Sequence, residues 1–159
     1  MANIPWVDPP RDDDQPIENL KRALTNWKGT PYMPGQCLPG VGVDCLRFVS
    51  AMGCAMEGRE MVKTSQLPRD TAFHRPDLAR KAIRQLMLQF PKWARITVPM
   101  ALHPGDLVIV GPKGIPSHGM IVGPWQPELF HASSIGVENS AWDLTGPREL
   151  NSVYRWILS

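Results

Sequence analysis

Apolar residues recur along this chain at helical spacing in its first ninety positions and in short alternating runs thereafter. Ile17, Leu20, Leu24 and Trp27 fall on one side of a helix of period 3.6, with Pro16 acceptable in its first turn. Asp14 is a possible cap and Gly29 a stop, so the pattern predicts a helix over 16–28. Cys45, Phe48, Val49, Met52 and Met56 recur at i, i+3, i+4, i+7 and i+11, which predicts a second helix from near Asp44 to near Gly58. A third opens at Pro76 and presents Ala79, Ala82, Ile83, Leu86, Met87 and Phe90 as a stripe, with Arg80, Lys81 and Arg84 on its other face. Between the second and third helices, residues 59–75 show no period and read as a loop.

The last third changes period. Asp106–Val110, His118–Val122, Glu128–His131, Gly136–Glu138 and Val153–Ile157 are β-prone runs separated by Gly, Pro and Ser. Helices first and strands second predict an α+β domain, with N-terminal helices packed on a C-terminal antiparallel sheet. Residues 1–15, with Pro5, Pro9, Pro10 and three consecutive aspartates, read as an extended arm ahead of one domain over 16–159.

Composition narrows the classes. A net charge of +2 is too small to point to nucleic acid. The nine Lys and Arg against three Asp and Glu in 59–95 read as a solvated helix face, because no aromatic interleaving accompanies them. No apolar run approaches the ~20 residues that span a bilayer, so no membrane span is expected. The first residues lack a basic segment followed by an apolar one, so the expectation is synthesis in the cytoplasm without a secretory signal. Three cysteines spaced C-x7-C-x8-C fit no compact zinc or disulfide pattern, and no cofactor or metal is expected.

The candidate chemistry centres on Gly29–Val49. A Gly- and Pro-rich stretch stops at Asp44-Cys45, where the second helix starts. Asp44 suits the N-cap, and Cys45 falls in the first turn, where the helix end favours thiolate over thiol. That makes Cys45 a candidate nucleophile, although a lone cysteine on an apolar stripe is equally a small core residue. A base is needed, and four histidines are available. His74 and His103 fall in loop and turn. His118 and His131 sit in strands. If Val122 pairs with Leu129 across a hairpin, Met120 pairs with His131, and His118 lies one diagonal step away on the same face. A one-residue slip would separate them, and two unrelated strand histidines are the alternative. Cys37, Cys45, His118 and His131 could also form a Cys2His2 zinc set, though the spacing is unlike compact zinc motifs. Cys54, half a turn out of phase with Cys45, reads as packing.

These residues carry a family resemblance. Gly29-Thr-Pro-Tyr32 with Gly35, then Gly42-Val-Asp-Cys45, resembles the first block of the NlpC/P60 cysteine peptidases. Pro104-Gly-Asp-Leu-Val108 resembles the block that opens their sheet. His118–Val122 resembles their catalytic-histidine strand, and Leu129–Ser133 with Gly136-Val137 the strand bearing their third catalytic residue. The resemblance implies a papain-like NlpC/P60 fold with Cys45 as nucleophile, His118 as base and His131 as the orienting residue. It implies Tyr32 beside the nucleophile, Asp44 as a substrate-binding residue, and a peptidoglycan stem peptide as the substrate.

Two positions depart from the pattern. Leu46-Arg47 replaces the family's Ser-Gly, and Gln36 replaces the second Gly of a Gly-Gly pair. Leu46 is expected to relax recognition of a substrate amino group, and Arg47 to face solvent or a partner. The variant Gly-Thr-Pro-Tyr and Asp-Cys-Leu blocks resemble NlpC/P60 proteins of phage tail-assembly and gene-transfer-agent clusters. That implies phage tail proteins as partners and a tail-associated location. A delivered amidase toxin, an acyl transferase on a non-peptide substrate and a tail-assembly protein with an idle site are the competing readings.

Overall fold

The structure is a computed structural model that describes residues 15–60, 75–97, 101–111, 114–125, 129–133, 135–140 and 150–157. The expected N-terminal arm, His74 and most of the expected 59–75 loop lie outside the described residues. Among the described residues, three helices and a six-stranded antiparallel sheet give the α+β arrangement expected from the change in period.

Helix α1 runs Gln15–Trp27 and buries Ile17, Leu20, Leu24 and Trp27, the predicted stripe. It ends before Gly29, whose φ of 79° is open to glycine at little cost. Helix α2 runs Cys45–Glu57. Asp44 caps it by accepting from the Arg47 N–H, and Gly58 closes it in the left-handed conformation at φ 68°. Helix α3 runs Pro76–Gln89, with proline in its first turn as expected. None of these helices is long and apolar enough to cross a membrane.

The apolar stripe of α2 is narrower than its buried surface. Arg47, Ser50, Ala51 and Gly53 are buried together with the predicted stripe. The reason is position: α1 packs along α2, β5 and β6 pass on another side, and the Phe90 and Trp93 rings close against Gly53. A Cβ at Gly53 would stand 2.7 Å from the Phe90 ring, so only glycine fits that crossing.

Chain order continues with a two-residue hairpin, β1 (Cys37–Leu38) with β2 (Gly42–Val43), inside the Gly-rich stretch. The main sheet is β3 (Trp93–Ile96), β4 (Leu107–Val110), β5 (His118–Val122), β6 (Leu129–Ser133), β7 (Gly136–Ser140) and β8 (Leu150–Trp156). Its spatial order is β3-β8-β4-β5-β6-β7, antiparallel throughout. Neither β3 nor the small hairpin is expected from the sequence pattern.

Alternation along β4 divides the core in two. Leu107 and Ile109 join the helices, whereas Val108 and Val110 join Met120, Val122, Leu129 and Val153 in a second cluster. The turn before β4 is tied down by Asp106, a buried carboxylate gripped by both Arg155 Nε and Nη2 at 3.1 and 2.9 Å. Burial pushes this carboxyl above the usual carboxylate range, against the opposing pull of Arg155. The Trp93 indole N–H donates to the Gly105 carbonyl at 3.0 Å, locking β3 to the same turn. The Pro104–Val108 block therefore anchors the opening of the sheet.

Candidate active site

The Gly-rich stretch is fixed at both ends before it delivers Cys45. Gly29 N–H donates to Val137 O, and Val137 N–H returns a bond to Thr30 O, so the segment runs along β7. Gly136 has a φ of 114°, and a Cβ there would stand 2.6 Å from the Thr30 carbonyl oxygen. Tyr32 is bridged to Val43 in parallel fashion, while Val43 N–H donates to Pro31 O. Tyr32 is thereby held against the two residues that lead into α2, half-buried against the core.

Cys45 occupies the first position of α2 and is buried. The helix passes over β5 at Gly119, where a Cβ would stand 3.3 Å from Val49 Cγ2. Val49 is one turn beyond Cys45, and Gly119 directly follows His118 in sequence.

Of the registers that the sequence leaves open, the hairpin adopts the one that brings the two histidines to one face. Val122 pairs with Leu129 and Ile121 with Phe130. His118 and His131 consequently meet, Nε2 to Nδ1 at 2.7 Å, with their rings edge to face. His131 is 2% exposed. Behind it stands Glu138, its partner across β6 and β7, with Oε1 3.5 Å from His131 Nε2. Ser133 Oγ donates to the same carboxylate oxygen at 2.9 Å.

Glu138 Oε1 at 3.5 Å lies beyond hydrogen-bond geometry to His131 Nε2 and acts on it through its charge. A carboxylate beside His131 Nε2 favours the proton on that nitrogen. With the proton there, His131 Nδ1 would accept from His118 Nε2–H and His118 Nδ1 would be left as the basic nitrogen. Glu138 is a neighbour of the histidine pair that the sequence pattern alone does not single out. The signal for it is a carboxylate alternating with Val137 in the strand that follows His131.

The orientation expected of Arg47 requires a correction. The sequence places Arg47 toward solvent or a partner, yet it is 4% exposed. Its Nη1 lies 2.8 Å from Asp44 Oδ2, and Asp44 is itself fully buried. Asp44 also accepts from Gly35 N–H at 2.7 Å and Arg47 N–H at 3.0 Å. The physical reason is that α2 is central, so the side of its first turn that carries Arg47 faces the protein interior. Leu46 is likewise buried, within the core.

The remaining cysteines separate from Cys45. Cys54 is buried in the middle of α2 among core residues. Cys37 is the most exposed of the three thiols, and its Sγ donates to Arg47 O at 3.6 Å. Burial, with the charge of Asp44 adding to it, pushes the Cys37 thiol up to about 11. Among the described residues no group of three or more His, Cys, Asp or Glu is gathered as a metal site, so the alternative Cys2His2 set is not assembled. His103 stays in its turn, with its N–H donating to Asp106.

No family model and no curated protein matches the sequence. Solved structures do. A protein described as similar to lipoprotein, of the NLP/P60 family, from Staphylococcus aureus aligns over 96% of this chain and 45% of its own, with a TM-score of 0.56 and 19% identity. An NlpC/P60 family protein from Bacillus cereus aligns over 94% of this chain and 41% of its own, with a TM-score of 0.54 and 19% identity. The chain spans less than half the length of these structures. With the capped helix led by Cys45 laid on the strands of His118 and His131, it has the NlpC/P60 fold.

Proposed function

We propose that this protein is a cysteine hydrolase that cleaves an amide bond in peptidoglycan stem peptides. The observation that supports it most is the 2.7 Å contact between His118 and His131 on strands against which the Cys45-led helix packs. In this reading Cys45 Sγ attacks the scissile carbonyl and His118 takes the thiol proton. His118 then gives that proton to the leaving amine as the C–N bond breaks, and a thioester remains. Water, deprotonated by His118, attacks the thioester to release the acid and restore the thiol. His131 holds the base in its tautomer, as the third member of such a triad does. The Cys45 backbone N–H and the Tyr32 hydroxyl stabilise the oxyanion, where loss of one donor typically costs ~10²–10³ in rate.

The resemblance of the Gly29–Tyr32 and Asp44–Leu46 blocks to tail-assembly members supports a particle-borne enzyme, made in the cytoplasm and carried to the wall on a phage tail. Mass spectrometry of purified particles tests that location. Digestion of purified sacculi by wild type and Cys45→Ala tests the activity. Soluble stem-peptide fragments from the wild type alone are the expected result, and equal release by both would reject the nucleophile.

A further inference from the structure

A second concentration of chemistry lies between α3, β3 and β8. Arg80 and Arg84, one turn apart on α3, and Arg95 on β3 are exposed and line one cavity of about 440 Å³. Strand β8 adds Asn151, Ser152 and Tyr154 to its wall. Among the described residues none of the three arginines has a carboxylate partner. The whole chain carries a net charge of only +2, so three positive charges in one cleft are a local concentration. Like charges at i and i+4 on a helix repel one another, and a bound anion would offset that repulsion. Guanidinium forks match the oxygens of carboxylates and phosphates, and hydroxyl and amide groups beside them supply further donors.

An apolar cleft of about 430 Å³ adjoins this one, sharing Ile83, Arg84 and Tyr154 and adding Met87 and Leu88. Leu88 is 82% exposed and, with the partly buried Met87, forms the apolar rim of this cleft. The two clefts together present a positive end and an apolar end to one ligand.

We propose that this surface binds an amphiphilic anion, with its carboxylate or phosphate among Arg80, Arg84 and Arg95 and its apolar group along Met87 and Leu88. The site stands apart from the proposed chemistry of Cys45 and does not depend on it.

The test titrates the full chain with inorganic phosphate, hexyl phosphate and hexanoate at low salt. It follows the arginine Nε–H resonances and the Met87 and Leu88 methyls by NMR. Hexyl phosphate or hexanoate should produce saturable shifts at both sets, and the tighter of the two names the head group. Arg84→Gln with Arg95→Gln should weaken binding roughly a hundredfold, about tenfold for each charge-assisted hydrogen bond lost. Lys81→Gln with Lys92→Gln removes the same charge from exposed positions outside both clefts and should leave binding nearly unchanged. An equal loss in both double variants, or no saturable shift at these residues, would overturn the site. Binding of hexyl phosphate no tighter than that of inorganic phosphate would overturn the amphiphile.

Discussion

Replacing Arg47 by methionine is the most informative single perturbation of the fold. The guanidinium is 4% exposed and its partner Asp44 is fully buried, so the change strips the cation from a carboxylate that water cannot reach. Breaking a buried pair from one side costs ~3–5 kcal/mol, because the charge left behind keeps its desolvation penalty. Asp44 also accepts from the backbone N–H groups of Gly35 and Arg47, and a side-chain substitution removes neither, so the low end, about 3 kcal/mol, applies. At ~2–4 °C per kcal/mol for a chain of this size, the melting temperature should fall by roughly 6–12 °C. Thermal unfolding by circular dichroism, with urea titration beside it, measures the loss. The double variant with Asp44→Asn removes both charges while keeping an acceptor at the cap. It should be less damaged than the two single changes sum to, with a coupling of ~1–3 kcal/mol. A shift below about 2 °C for Arg47→Met, or strict additivity, would show that the pair is solvated and that the reasoning from burial fails.

The other predictions concern the candidate site. With its pKa at about 11, Cys37 should resist iodoacetamide at pH 8 and react only as the pH climbs toward that value, while Cys45 labels first. A first label on Cys37 or Cys54, read by peptide mapping, removes Cys45 as nucleophile. In a working assay His118→Ala should abolish turnover and His131→Ala should leave a residue of it, because only the former moves the proton. Equal and negligible effects would reject the pairing. A free stem peptide and its N-acetylated form should be cleaved at comparable rates, since Asp44 already has its cation in Arg47. A preference for the free amine beyond about tenfold would contradict this reading.

What is legible in the sequence is whatever neighbouring residues decide among themselves. Asp44 and Gly58 announce the ends of α2 because capping chemistry is local. The histidine contact is legible only in part: the strands and their short connection are readable, but both are apolar on both faces, so the register that joins His118 to His131 is settled by the fold. Strand β3 escapes because Trp-Ala-Arg-Ile is short and half polar, and its pairing with β8 joins segments some sixty residues apart. The small hairpin escapes because two-residue strands have no period to read. Leu46 and Arg47 fail differently. Counting around the helix gives their angles correctly, but which angles meet water depends on α1, on the sheet, and on Phe90 and Trp93 arriving from later in the chain.

A local signal for Arg47 nevertheless exists. The residue three positions after an N-cap lies beside it, as in the capping box, so a cap carboxylate and an arginine at that position are within reach of each other, and here they pair. In those terms Asp44-Cys-Leu-Arg47 describes a carboxylate already committed inside the protein. If Cys45 is the proposed nucleophile, a substrate group beside it finds the Asp44 charge neutralised by Arg47, and the departure at Leu46-Arg47 becomes a change in what the site can recognise.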